Sequence, residues 1–260
     1  MKILFIGEIV SQPGRTAVEQ VLPQLIKKEN IDLVLSNAEN MSGGRGATAV
    51  NINEMMQLGI HYFSGGDHTF WQRETEDEID MLPVIRPANY PKGVPGKGFH
   101  ILDTGKNGKV LFINLMGRTS YNSLFSYLDD PFTKLDQILE ETKDEEFAAT
   151  IVDFHADSTS EKEALTFYAD GRVTAVLGTH THAPSADTIV FPKGTMYVTD
   201  VGMTGNIDSV LGVKKEIIIN MFLTARNQRF QWEKTGRKAF RSVLLDTNTS
   251  SIIRIDKIIN

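Results

Sequence analysis

Residues 2–8 read KILFIGE, an apolar run of strand length closed by a glycine and an acid. With one lysine, four apolar residues and no small-residue cleavage pattern behind it, the run predicts a buried first strand rather than a leader. The amphipathic stretch Arg15–Lys28 follows, then IDLVLS at 31–36 and Ala49–Leu58. Short apolar runs and longer amphipathic stretches keep alternating through IHYFSG (60–65), Trp71–Met81, AATIVDF (148–154), Ser160–Ala169 and VTAVLG (173–178). That order is βαβα, and it predicts a largely parallel sheet with flanking helices.

FHILDTGKNGKVLFINL (99–115) predicts a hairpin, with Asn107-Gly108 as a two-residue turn of positive φ. TIVF (188–191), TMYVT (195–199), SVLLDT (242–247) and IIRIDKII (252–259) predict an antiparallel, strand-rich last third. Pro131 is placed to open a helix at Phe132–Thr142, and Ser158 or Thr159 to cap the next one. No repeat, low-complexity tract or long linker interrupts the chain, so residues 1–260 are expected to form a single domain.

The chain has 260 residues, 41% of them hydrophobic, enough for a sizeable core. Its 27 basic against 33 acidic residues leave a net charge of −6, which excludes a general electrostatic footprint for nucleic acid or anionic lipid. It contains no cysteine, so any metal must be held by histidine, carboxylate or amide. No window approaches the roughly 18–20 apolar residues of a membrane span, and a soluble, cytoplasmic protein is expected.

In open α/β sheets ligands bind beyond the carboxyl ends of the strands. Glu8 follows the first run; Asn37, Glu39 and Asn40 close the second; Asp67 and His68 follow the third; His155 follows TIVDF; His180 and His182 follow VTAVLGT. Four of the six histidines fall at these positions. Each residue alone has an ordinary explanation: a solvent-facing acid, Asn in a turn, Asp as a helix cap, a core histidine. Together they point to a metal site. His180-x-His182 supports this, because alternate residues of an extended segment face one side. Imidazole, carboxylate and amide donors suit manganese, iron or zinc, and the donors outnumber what one four-coordinate ion needs. Two ions, with Glu39 as the candidate bridge, are the arrangement used for phosphoester hydrolysis.

The ordered set of motifs resembles the calcineurin-like metallophosphoesterases, and within them the YmdB-like branch of bacterial cyclic-nucleotide phosphodiesterases. It comprises Gly14-Arg15, NAEN (37–40), GGRG (43–46), LMGR (115–118), VDFHADSTSEK (152–162), GTHTHAPSAD (178–187) and TDVGMTG (199–205), spanning about the first 225 residues. The resemblance implies a two-sheet α/β/β/α sandwich with mixed sheets and a dinuclear centre at its rim. It implies that Glu8, Glu39 and His182 hold one ion while Glu39, Asp67, His155 and His180 hold the other. Asn40 would orient the bridging water or phosphate, and His68 would be the general acid as a metal-bridging hydroxide attacks phosphorus. The implied substrate is a small cyclic nucleotide, 2′,3′-cyclic first, and the implied assembly a homo-oligomer.

The family pattern has Asp in its first motif and Asn in GNH, where this chain has Glu8 and Asp67. Three acids against two divalent ions predict firm metal retention, slow turnover and a preference for a tri/divalent pair. Two other functions compete: a regulatory metal-binding scaffold, and a phosphodiesterase acting on RNA. The latter would use Arg226, Arg229, Lys234, Arg237, Lys238 and Arg241, interleaved with Phe230, Trp232 and Phe240.

Overall fold

The computed structural model describes residues 1–119, 125 and 127–260. Its first sheet holds four parallel strands, β1 (Lys2–Ile6), β2 (Leu33–Asn37), β3 (Tyr62–Ser64) and β4 (Val84–Ile85). Two antiparallel strands, β13 (Ser242–Asp246) and β14 (Ser251–Arg254), extend it beyond β1. The second sheet has a parallel centre of β6 (Lys109–Met116), β7 (Ala149–His155), β8 (Ala175–Thr179) and β10 (Met196–Val198). Its antiparallel edges are β5 (Phe99–Asp103) and β9 (Ile189–Val190). A small third sheet joins β11 (Gly205–Asn206), β12 (Lys238–Phe240) and β15 (Lys257–Ile259).

The two-residue period of a strand explains the layering. Ile3 and Phe5 of β1 face the opposite sheet, where Phe5 meets Phe112 edge-on at 6.3 Å, in a core shared with Leu33, Leu35, Ile151 and Leu177. Leu4 and Ile6 face the other way, onto α1 (Ser11–Glu29) and α2 (Ala49–Gln57). Leu111, Ile113 and Phe154 of the second sheet pack under α4 (Pro131–Glu141) and α5 (Thr159–Ala169). Each such fully buried side chain contributes about 1.5–3 kcal/mol. The layers are helix, sheet, sheet, helix, the sandwich that the resemblance implied.

Several local expectations need correction. The hairpin forms, but through a 3-10 turn at Gly105–Asn107, with positive φ at Gly105 and Gly108 rather than at Asn107. The charged segment gives only a short helix, α3 (Arg73–Glu78), followed by a 3-10 turn. TMYVT pairs in parallel with β8, because the chain crosses over through residues 180–195 and β9 before re-entering the sheet. IIRIDKII breaks at Ile255-Asp256, and its halves join different sheets. The last third also holds a helix, α6 (Lys215–Thr224), whose IIINMFL, apolar but for Asn220, has no amphipathic period and leaves Phe222 and Leu223 about 80% exposed. Pro131 opens α4 as expected, behind an Asp130 cap that accepts from Thr133 N, whereas the Ser158 hydroxyl contacts Ser160 instead of capping α5. Among the described residues no helix is long and apolar enough to cross a membrane.

Candidate metal centre

The parallel strands of both sheets end at one rim, and every metal or catalytic candidate named above lies there. Glu8 comes off β1, Glu39 and Asn40 off β2, Asp67 and His68 off β3; His155 ends β7, and His180 and His182 follow β8. Three groups have ligand atoms within 4.8 Å of one another: Glu8, Glu39 and His182; Asp67, His155 and His180; and Glu39, Asp67 and His68. His155 Nε2 lies 3.0 Å from Asp67 Oδ1, 3.2 Å from Glu39 Oε2 and 3.1 Å from His180 Nδ1. His182 Nε2 meets Glu8 Oε2, while His182 Nδ1 is buried with no hydrogen-bond partner among the described residues.

The residues fit a metal centre. Three carboxylates and three imidazoles crowd their lone pairs into one region, where Glu8 is 1% and Glu39 2% exposed. Buried charges in such number require cations among them. Gly66 shapes the cradle, since a Cβ there would lie 2.1 Å from Glu39 Oε2 and 2.5 Å from His155 Nε2. Burial opposes the charge on Glu39, but His155 and then His68 outweigh it and hold the carboxyl well below its usual range. Burial likewise opposes an imidazolium at His155, yet Glu39, Asp67 and Glu8 raise its pKa well above the usual value. A metal would take the place of those protons.

The histidines off β8 differ from expectation. His180 and His182 have φ of 99° and 64°, so the segment is not extended, and the two rings join different groups. Asp200 braces this turn: it accepts from Thr181 N at 3.0 Å, Thr181 Oγ1 at 2.7 Å and the fully buried Lys162 Nζ at 3.0 Å. Glu8 accepts the His180 backbone N–H.

His155 is oriented from behind. Its Nδ1 lies 3.0 Å from Thr179 Oγ1, which donates to Asp153 Oδ1 at 2.7 Å. Burial pushes Asp153 up to about 6, against the pull of His155 and its hydrogen bonds. Asn37 stands outside the ligand groups: it donates to Gly65 O and Asp153, and its Oδ1 accepts from Glu39 N. Asp153 and Thr179 were not anticipated, although Asp153, two residues before His155, had to share its face of β7. Lys162 and Asp200 lie within the motifs VDFHADSTSEK and TDVGMTG, but no spacing pairs them with each other or with the turn.

Asn40 links the cluster to His68. Its Nδ2 donates to Glu8 Oε2 at 3.1 Å and Glu39 Oε1 at 2.6 Å, and its Oδ1 accepts from His68 Nδ1 at 2.9 Å. Burial opposes charge on His68, but Glu39 and Asp67 raise its pKa. His68 and Asp67 border a cavity of about 570 Å³ walled by Phe70, Trp71, Tyr90 and Phe125. Phe125 comes from the loop 118–131, of which residues 120–124 and 126 lie outside the described set. The basic carboxy-terminal stretch does not present its aromatic residues on one stacking face. Phe240 is fully buried, Trp232 packs on Gly44, and Arg237 and Arg241 are paired with Asp208 and Asp256.

A protein-family model described as YmdB-like protein matches residues 4–258. A Bacillus subtilis relative named 2′,3′-cyclic-nucleotide 2′-phosphodiesterase is 41% identical over 263 residues, covering 100% of this chain and 97% of its own. The crystal structure of a hypothetical protein from Thermus thermophilus superposes with a TM-score of 0.90 at 39% identity, over 100% of this chain and 99% of that one. A Mycoplasma pneumoniae structure titled as a novel phosphatase gives a TM-score of 0.87 at 32% identity, over 100% and 92%.

Proposed function

Because the chain belongs to the YmdB-like family, we propose that it opens 2′,3′-cyclic nucleotides to phosphomonoesters at a dinuclear metal centre. It is a metal-dependent phosphodiesterase, and residues 1–260 act as one catalytic unit. The observation that carries this reading is the arrangement of two ligand groups, joined through the Glu39 carboxylate, beside a cavity that His68 borders. Glu8, Glu39 and His182 would hold one ion, and Glu39, Asp67, His155 and His180 the other. Iron or manganese suits these nitrogen and oxygen donors, with zinc as a further option. Bound ions supply Lewis acidity and an activated water near neutral pH.

The chain's own groups handle the proton. Asn40 Oδ1 accepts the His68 Nδ1–H at 2.9 Å, which leaves Nε2 as the nitrogen that gives up a proton. Against burial, Glu39 and Asp67 raise the pKa of that ring and so favour its protonated form, and His68 protonates the departing ribose oxygen as the P–O bond to it breaks and water's oxygen bonds to phosphorus. The product is a phosphomonoester. Through its bonds to Glu8 and Glu39, Asn40 also fixes where the water and phosphate lie. Since Glu8 and Asp67 both stand in ligand groups, the departures from the family pattern do not favour a regulatory scaffold.

A cytoplasmic homo-oligomer is the expected state, which sizing by light scattering and fractionation of cells would check. The test of function is turnover of 2′,3′-cyclic AMP by metal-reconstituted protein and by His68→Ala, with bound metal counted in both. Loss of about 10²–10⁴-fold in His68→Ala at equal metal content is expected. Full metal occupancy without turnover in the native protein would overturn the reading.

A further inference from the structure

The GGRG loop is shaped around one side chain. Gly43, Gly44 and Gly46 have φ of 60°, 79° and 74°, in the left-handed region that favours glycine. A Cβ on Gly44 would meet the Trp232 ring at 2.0 Å, and one on Gly46 the Gln72 side chain at 2.7 Å, so the loop is gripped on both flanks. Gln72 also donates to the Arg45 carbonyl at 2.7 Å. The residue presented is Arg45, with its guanidinium carbon 4.4 Å from the Trp71 ring centroid and 5.9 Å from that of Phe230. Among the described residues no carboxylate lies within 4.0 Å of that guanidinium.

Its position joins two cavities. Trp71 walls the cavity beside His68, whereas Phe230, with Gln228 and Trp232, walls an adjoining cavity of about 350 Å³. Arg45 is the one described residue common to both linings. A planar guanidinium set over an indole face can turn its N–H fork to a bidentate phosphate. The reacting diester does not need it: three carboxylates and two divalent ions leave one positive charge, which the diester's single negative charge neutralises.

Resting on the phosphodiesterase reading above, we propose that Arg45 receives a second phosphate of the substrate. The preferred class is then 2′,3′-cyclic nucleotides bearing a 5′-phosphoryl group. The cyclic phosphate lies at the metals, the base lies against the Trp71 and Tyr90 wall, and the 5′-phosphate lies at the mouth of the second cavity. That group belongs either to a free nucleotide or to the last residue of an oligonucleotide.

The test uses full-length, metal-loaded wild type, Arg45→Gln and Arg45→Lys with adenosine 2′,3′-cyclic phosphate, with and without a 5′-phosphate. Wild type is expected to favour the 5′-phosphorylated substrate by about tenfold or more in kcat/KM, expressed in KM. Arg45→Gln loses most of that ratio and Arg45→Lys keeps part of it. A wild-type ratio near one, or a ratio unchanged in Arg45→Gln, overturns the proposal. A dinucleotide with the same cyclic terminus separates the sources: preference over the monomer assigns a chain end, and the reverse assigns a free nucleotide. If no diester, bis(p-nitrophenyl) phosphate included, is hydrolysed, the activity reading itself fails. Arg45 is then judged by calorimetry with adenosine 3′,5′-bisphosphate and adenosine 3′-phosphate. Tighter binding of the bisphosphate that Arg45→Gln lacks upholds the site, and equal affinities overturn it.

Discussion

Gly66→Ala tests the centre with a single methyl group. The Gly66 backbone is outside the left-handed region, so alanine adds no conformational strain there, but its Cβ arrives 2.1 Å from Glu39 Oε2 and 2.5 Å from His155 Nε2. Non-bonded carbon and oxygen come no closer than about 3.3 Å, so Glu39 must retreat by about 1.2 Å. His155 has no room to yield, being fully buried with its other nitrogen on Thr179. Misplacement by about 1 Å costs of order a hundredfold in rate, and overpacking costs about 1–3 kcal/mol of stability. Gly98→Ala, whose Cβ would meet Ala88 at 2.3 Å away from the ligands, controls for overpacking. Metal content after gel filtration, Tm and kcat/KM for 2′,3′-cyclic AMP are measured on both. Gly66→Ala should lose metal and about a hundredfold in rate, while Gly98→Ala loses Tm alone. A Gly66→Ala protein with full metal and a rate within about threefold of wild type would show that Glu39 Oε2 and His155 Nε2 do not face the ions.

Thr179→Val removes the hydroxyl that ties His155 Nδ1 to Asp153 and should weaken metal binding by about 10–100-fold, read by competition with a chelating dye. Lys162→Met strips the buried Asp200 carboxylate of its cation and should cost about 3–5 kcal/mol in urea unfolding; a loss below about 1 kcal/mol would mean the pair is not buried as described. Asp130→Ala removes the cap on α4 and should cost about 1 kcal/mol near neutral pH. Burial opposes the Asp130 charge, but Thr133 and then Arg118 hold its folded pKa below the usual value, so its contribution is full above about pH 4 and vanishes as acid protonates it. The difference between Asp130→Ala and wild type should therefore close in acid; a constant difference would count against the cap.

The site was more legible than the scaffold behind it. The candidate ligands lie at the ends of strands whose apolar runs are plain in sequence, and strand ends of a parallel sheet must converge, so the sequence alone groups Glu39, Asp67, His155 and His180. The supports were hidden because they come from elsewhere in the chain: Lys162 sits on α5 and Asp200 beyond β10, 38 residues apart, and nothing local marks either as a partner of the His180–His182 turn. The last third misled for a related reason. IIINMFL in α6 carries no helical period because the helix packs little of its surface on the body, and hydrophobic alternation signals an element only where one face is buried. The parallel pairing of β10 with β8 depends on a crossover whose route no short-range pattern specifies.

Glu8 shows how a departure from a family pattern can be built into the geometry around it. Its carboxylate does two things at once: one oxygen takes the His180 backbone N–H, and the other meets His182 Nε2 and the Asn40 amide. The turn so held carries two non-glycine residues of positive φ, a strain of about 1–3 kcal/mol each that persists only where surroundings impose it. Asp200 imposes it on Thr181, in the middle, and Glu8 imposes it from the metal side. An aspartate, one methylene shorter, reaches one of these partners at the expense of the other unless β1 moves toward the turn. The added length therefore lets a candidate metal ligand serve also as a clamp on His180 and His182, which on the proposed reading ties loading of the centre to the shape of the turn.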